Sequence, residues 1–316
     1  TGRNHGVGAG GTFGRIVTNS ATDTETGRTV SVLRSAAFGL TPEGGNPAGV
    51  VVVADDLNPA DMQHVAAEVD YAETAFVTGA TDPQPSIRFF SPIAEVPFCG
   101  HATIATAVAL VEQCVHSAGE HVFRTSVGPI AIRTRVENGV VHAAFTSVDP
   151  SWEPMPAATL STLAALIGIE EHDLDDRMPP ALVFAGNVHP VIVIAEREVF
   201  DSFTFDPKLA RRIMDAHGWP ATVTILHGTA PTGFTARNIF PVGRITEDPA
   251  TGSAAAAIGA YVRAFALASL PAIVIVQQGA HVGRPSELVV DVPETGGITV
   301  SGSAIEIDTI QIVLSS

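Results

Sequence analysis

From residue 29 onward the apolar positions recur with two different periods, and each change of period marks a new element. Residues 30–37 and 48–54 are β-like apolar runs separated by the turn-forming stretch Pro42-Glu43-Gly44-Gly45-Asn46-Pro47. Asn58-Pro59 starts a helix, with Asn as cap and Pro in the first turn, and Met62, Val65, Ala66 and Val69 then share one face. The pattern predicts strands over 73–77 and 87–90, a helix of small apolar residues over 100–114, and strands over 122–125, 130–136 and 140–146. Residues 149–156, with prolines at 150, 154 and 156, predict a linker. Beyond it come helices over 157–167 and 207–217 and strands over 181–185, 190–195 and 222–227. A second small-residue helix starts near 252, followed by strands over 272–277, 287–292, 299–302 and 305–313.

The two small-residue helices belong to a repeat. Arg88-Phe89-Phe90-Ser91-Pro92 and Pro97-Phe98-Cys99-Gly100-His101-Ala102 answer to Arg237-Asn238-Ile239-Phe240-Pro241 and Pro249-Ala250-Thr251-Gly252-Ser253-Ala254. The first pair is offset by 149 positions and the second by 152, so a three-residue insertion lies between them. A helix that is apolar on nearly all faces must be surrounded by protein, and the simplest container is a curled sheet. The expected fold is therefore α+β, with two pseudo-symmetric lobes, each a β-barrel-like sheet around a central helix. Residues 29–149 form the expected first lobe and 150–302 the second, with the last strand near 303–316 returning to the first. Residues 1–28, polar and rich in Gly and Thr, read as a tag-like or flexible extension.

Composition narrows the partners. Lys and Arg total 17 against 33 Asp and Glu, a net charge of −16 that repels nucleic acid and anionic membrane surfaces but leaves a small anionic ligand open. No apolar run reaches the roughly 18 residues of a membrane span. The two cysteines, Cys99 at a turn and Cys114 in the following helix, are expected to stay unpaired, which suits a reduced, cytoplasmic setting. Gly6, Gly8 and Gly11 match a dinucleotide-binding spacing without the buried strand it needs. No histidine spacing builds a recognisable metal site, so no metal is expected. The acidic stretch 170–176 reads as a solvated face, and the remaining histidines as scattered solvent or core residues.

Glu73 is the sharpest candidate for chemistry. Alternation places it on the strand face of Tyr71, Ala75 and Val77, where desolvation would raise its pKa toward acid–base use. An edge or surface glutamate is the alternative reading. Gly100-His101 and Gly252-Ser253 open helices with no acid in the first turn, which leaves N–H donors free for an anion. Capping and tight packing is the plainer account of both. Asp248 could cap the second helix, accept a proton or orient a substrate amine. Cys99, just ahead of a helix, is expected to have a lowered thiol pKa. The second turn has no cysteine, which excludes a two-thiol racemase.

Five segments together resemble the PhzF (phenazine biosynthesis) family of the diaminopimelate-epimerase-like fold. They are Gly45-Asn46-Pro47-Ala48-Gly49, Tyr71-Ala72-Glu73-Thr74-Ala75-Phe76, Pro97 to Ala102, Glu247 to Ala254, and Gln278 to Pro285. The resemblance covers residues 29–316. It implies two barrel lobes with a site in the cleft between them, cofactor-free and metal-free proton-transfer isomerisation of a small carboxylate-bearing molecule, and a homodimer. It assigns Glu73, His101 and Asp248 as catalytic and Gly100, Gly252 and Ser253 as substrate-carboxylate donors. Asn46 and Thr251 complete the expected binding set, with Cys99 accessory. Ala72 stands where the family often has Ser. Two rival readings remain: a metabolite-binding relative without turnover, and a racemase or dehydratase using Cys99 with Glu73.

Overall fold

The computed structural model describes residues 28–230, 232–242 and 245–314. The first repeat comprises β1 (Arg28–Ala37), β2 (Asn46–Val51), α1 (Pro59–Val69), β3 (Glu73–Thr78), β4 (Ser86–Phe90), β5 (Glu95–Val96), α2 (Gly100–Glu112), β6 (Glu120–Thr125), β7 (Gly128–Glu137) and β8 (Val140–Thr146). Then follow β9 (Ser151–Pro154), α3 (Ala157–Ile167), β10 (Ala181–Phe184), β11 (Val188–Val193), α4 (Arg197–Ser202), α5 (Pro207–His217), β12 (Val223–Ala230) and β13 (Gly233–Ile239). The chain ends with β14 (Glu247–Asp248), α6 (Gly252–Ala264), β15 (Ala272–Gln278), β16 (Ser286–Val292) and β17 (Thr299–Leu314).

Eight strands close the first lobe in the order β1-β2-β3-β4-β6-β7-β8-β17 and back to β1. The second lobe repeats the same order of parallel and antiparallel pairs through β10-β11-β12-β13-β15-β16-β17. The repeats exchange their ends. Strand β8 leaves the first barrel and runs on into β9, which pairs with β10 of the second. Strand β17 leaves β16 at Thr299–Ser301 and pairs with β1 through Leu314. The outgoing and returning strands meet antiparallel, Thr146 opposite Thr299 and His142 opposite Ser303. Neither barrel is complete without a strand handed over by the other.

Helix α2 fills the first barrel, with every residue from His101 to Leu110 buried. Helix α6 fills the second and is buried from Ala254 to Val262. Their small side chains let both fit inside closed sheets; Gly259 lies so close to Val290 and Ile298 that a Cβ would sit 2.7 Å from each. Outside, α1 covers Val32, Val51 and Phe76 of the first lobe. Helices α3, α4 and α5 cover Ile192, Ile225 and Ile239 of the second. The repeat also carries an ion pair. Arg88 binds Glu95 at the surface, while its counterpart Arg237 binds Glu247 in the interior, roofed by the Phe200 and Phe203 carbonyls of α4 and its C-terminus. The three-residue insertion falls in the turn between β13 and β14, because Phe90 pairs with Glu95 and Ile239 with Glu247.

Several local expectations change. Residues 151–154 of the supposed linker form β9, since two prolines at its flanks do not prevent an edge strand from pairing on one side. The strands expected over 299–302 and 305–313 are one, carried through Ser303 by pairing that passes from β8 to β1. Helix α4 was not foreseen. Cys114 lies beyond α2, exposed and with φ 57°, and both cysteines are free. The extension expected over residues 1–28 and its glycine spacing lie outside the described residues up to Arg28, which opens β1.

Gly302 sits under the Phe38 ring, and a Cβ there would lie 2.4 Å from Phe38 Cδ1. Phe38 is fully buried, so it has nowhere to move. Gly302→Ala should cost roughly 1–3 kcal/mol by overpacking, partly recovered in the Gly302→Ala/Phe38→Leu double variant, as read by urea unfolding.

Candidate active site

The first turns of α2 and α6 have neither a side-chain cap nor an acidic residue, which leaves N–H donors and dipole ends open there, although the Ala102 N–H of α2 is directed at Cys99. The two starts differ in packing. Gly252 touches the Phe145 ring, which a Cβ would approach to 2.8 Å. Gly100 is open, with only Phe98 Cε1 at 4.0 Å from a built Cβ. The lobes are joined beside these starts: Asn46 Nδ2 of β2 donates to Asp248 Oδ1 at 2.7 Å and to the Ala250 carbonyl at 3.0 Å. Arg284 reaches back to the carbonyls of Gly44 and Gly45.

Glu73 opens β3 on the face of Ala75 and Val77, whose side chains point into the barrel. Its own side chain is about one-fifth exposed, at the rim. Cys99 Sγ donates to Glu73 Oε2 at 3.5 Å, and His101 Nε2 is 3.5 Å from the same oxygen. Cys99 Sγ is 3.3 Å from His101 Nδ1. Burial raises the Glu73 pKa to about 7, with the Asp248 charge adding to it and the Cys99 hydrogen bond opposing. Burial lowers His101 to about 4, against a hydrogen bond that the ring donates to the Pro47 carbonyl, so the ring is neutral. The thiol is shifted opposite to the sequence expectation. Burial and then the Glu73 charge push it well above its ordinary value, and these outweigh the helix start, so Cys99 keeps its proton.

Asp248 faces this group from the second lobe. Burial raises its pKa to about 6, against hydrogen bonds from Thr251 Oγ1 at 2.5 Å and Asn46. It does not cap α6; it is held by Thr251 and Asn46. Gln278 fixes the same turn, donating to the Asp248 carbonyl at 2.6 Å and to Thr251 Oγ1 at 3.0 Å. Ser253 Oγ lies 3.0 Å from His189 Nε2. His189 Nδ1 lies 3.1 Å from the Thr222 carbonyl, which can only accept, so Nδ1 carries the ring hydrogen. Nε2 then accepts from Ser253, and the hydroxyl presents lone pairs to its surroundings.

The pseudo-twofold relation pairs unlike residues. With Arg88 matching Arg237, the position of Glu73 in the second repeat is Thr222. Asp248 answers to Val96, Thr251 to Cys99 and Ser253 to His101. The structure thus gathers Glu73, Cys99, His101, Asp248, Asn46 and Thr251, with both helix starts, while the amide hydrogens of Asn46 are spent on the second lobe. Sequence reasoning gave His189 no role and named Gln278 only within a family-like segment. A His189 signal existed in Gly186-Asn187, which echoes Gly45-Asn46. It also missed that Asp175, read as part of a solvated face, is buried and paired with Arg177. The expectation of no metal rested on local spacing, whereas the fold brings ligand atoms of Glu73, Cys99 and His101 within 4.8 Å of one another. Among the described residues no helix is long and apolar enough to cross a membrane.

Two barrel-like sheets around central helices define an α+β class of fold that solved PhzF-family proteins share. The chain belongs to the phenazine biosynthesis-like protein family, whose pattern matches residues 35–309. It is similar to a PhzF-family phenazine biosynthesis protein from Bacillus anthracis, with TM-score 0.81 and 25% identity over 90% of this chain and 99% of that one. It is 27% identical to the uncharacterized isomerase YfhB of Bacillus subtilis, over 88% of this chain and 97% of the relative. It is 28% identical to trans-2,3-dihydro-3-hydroxyanthranilate isomerase of Pseudomonas fluorescens, over 79% and 86%.

His189 supplies a pH test. Burial holds it at about 4, below the 6.5 of an exposed histidine, so the unfolded chain binds more protons between these values. Its contribution is full above pH 6.5 and is lost as pH falls toward 4. The stability advantage of wild type over His189→Gln should therefore shrink by up to about 3 kcal/mol between pH 7 and pH 4, measured by denaturant unfolding.

Proposed function

We propose that the protein is a PhzF-type isomerase that moves a carbon-bound proton on a small carboxylate-bearing metabolite, with Glu73 as the general acid–base. The observation that carries this is a carboxylate beside the start of α2, within the electrostatic reach of Asp248, with a pKa raised to about 7, where taking and returning a proton are nearly balanced. The kinship to proteins named isomerases supports the reaction class.

In this reading the substrate carboxylate lies against the first-turn N–H groups of α2 and α6. Glu73 removes a proton from a neighbouring carbon, and the C–H electron pair passes into the conjugated or carboxylate system. The helix ends meet the charge that develops there. The protonated Glu73 then delivers the proton to another carbon, or to the other face of the same one. Cys99 donates a hydrogen bond to ionised Glu73 and so keeps it aimed. His101, neutral, packs the base from the other side. Asp248 and the Ser253 oxygen are acceptors, so the substrate class that fits carries an N–H or O–H group near its carboxylate.

A second reading makes Cys99 the base of a racemase or dehydratase. The retained thiol proton disfavours it, and full activity in Cys99→Ala would remove it. A binding protein without turnover would show ligand-induced thermal stabilisation and no isotope exchange.

The test is incorporation of deuterium from deuterated water into trans-2,3-dihydro-3-hydroxyanthranilate, then into a panel of amino and hydroxy acids. Glu73→Gln should slow exchange by roughly 10²- to 10⁴-fold with the melting temperature retained. Undiminished exchange in that variant would sink the assignment. Gly100→Ala gives a second check. It should fold as well as wild type, since a Cβ meets nothing close, yet raise KM by crowding the anion site. An unchanged KM would move the carboxylate away from α2.

A further inference from the structure

Asp248 is held by two hydrogen bonds whose directions are fixed from behind. Asn46 Nδ2 donates to Asp248 Oδ1 at 2.7 Å and to the Ala250 carbonyl at 3.0 Å. A carbonyl can only accept, so the amide nitrogen, and not its oxygen, faces Asp248. On the other side Thr251 Oγ1 is 2.5 Å from Asp248 Oδ2. A hydroxyl can point either way, and Gln278 decides which. Its Nε2 donates to the Asp248 carbonyl at 2.6 Å and to Thr251 Oγ1 at 3.0 Å, while its Oε1 accepts from the Thr251 N–H at 3.3 Å. A backbone acceptor on one side and a backbone donor on the other fix the orientation of this amide too. Thr251 Oγ1 therefore accepts from Gln278, and its own hydrogen is left for Asp248. Both locking amides are nearly fully buried. Cys99, which stands for Thr251 in the first repeat, has only Glu73 and His101 as side-chain contacts and no such lock.

We propose that Gln278 is a positioning residue that acts through the Thr251 hydroxyl to keep Asp248 a hydrogen-bond acceptor, and so sets the preference for a substrate N–H or O–H at that point. Hydrogen bonds of fixed direction to both oxygens favour the carboxylate over the acid and offset part of its burial. The ionisable groups around Asp248 are Glu73 on β3 and Cys99 ahead of α2, which both sense its charge, with its neighbour Glu247 on β14 paired to Arg237. An ionised Asp248 in turn helps to hold the Glu73 pKa up, so the lock reaches the base as well. The lock itself rests on geometry; the substrate preference rests also on the function proposed above.

The full chain, carrying aspartate labelled with ¹³C at the side-chain carboxyl, is titrated by NMR, with Asp248 assigned from Asp248→Asn. Thr251→Val keeps the shape and removes the hydroxyl, and should raise the Asp248 pKa by about 1–2 units, whereas Thr251→Ser should leave it near the wild-type value. Gln278→Met should raise it too, yet add less than about 0.3 units on top of Thr251→Val, because the amide acts through the hydroxyl. A Gln278→Met shift that persists undiminished in the double variant makes Gln278 a plain buttress of the turn and overturns the proposal. An unmoved Asp248 in folded Thr251→Val does the same. Should Gln278→Met not fold, the Gln278 side-chain amide signal of wild type should follow the Asp248 titration and do so less in Thr251→Val; an amide indifferent to that titration overturns the lock. In the deuterium assay the acid limb of exchange should move to higher pH along with the Asp248 pKa. A limb that stays put while that pKa moves overturns the substrate preference. Absence of exchange from wild type that shows the NMR coupling overturns the isomerase reading and leaves the lock standing.

Discussion

Helices α2 and α6 are buried along almost their whole length, so the first-turn N–H groups of each can meet a polar partner only at the open end of its barrel. Most of the fold serves that constraint. Closed sheets supply the apolar wall, and Ala and Gly make the helices thin enough to be enclosed. The exchange of β8–β9 and β17 between the lobes fixes how the two open ends face each other. A hinge with few contacts would leave the distance between the helix starts undefined. Here that distance is pinned by a sixteen-residue strand shared by both barrels and by Asn46 reaching from one lobe to Asp248 and Ala250 of the other.

A strict duplication would put like groups at like places, and two glutamates or two histidines would face each other in a cleft with little water to screen them. The chain avoids this position by position. Thr222 stands for Glu73, Val96 for Asp248, Thr251 for Cys99 and Ser253 for His101. One lobe thus supplies a carboxylate at the end of β3 and the other at the end of β14, each beside neutral partners: Cys99 and His101 for Glu73, Thr251 and Asn46 of the other lobe for Asp248. The same economy operates in the outer ion pairs. Arg88–Glu95 is solvated and adds little, while Arg237–Glu247 is buried and bearable because the guanidinium also donates to the Phe200 and Phe203 carbonyls and stacks on the Phe203 ring.

The barrels and their central helices were legible because enclosure leaves a sequence signature: a helix without a polar face. Glu73 was legible because a carboxylate interrupts an apolar alternation. What the sequence hid was everything set by contacts between distant segments. Cys99 illustrates this. The local rule, a thiol ahead of a helix, gives a lowered pKa, but burial together with Glu73, 26 residues away, reverses the sign. His189 was passed over for a related reason, since its contacts are with Ser253 and Thr222, each from a different element. The stretch 149–156 misled because prolines mark edges as readily as linkers, and only the position of β10 decides between them.

The perturbed groups also act on stability in opposite directions. His101 and His189 are held neutral at about 4, so they take up protons when the chain unfolds between pH 4 and 6.5. Glu73 and Asp248, raised to about 7 and about 6, release protons on unfolding over an overlapping range. The two effects on stability have opposite signs: the histidine contribution is lost as pH falls, and the carboxyl contribution is lost as pH rises through the folded values. The raised carboxyl groups alone make the fold weaker toward higher pH. The buried neutral histidines tilt the curve the other way.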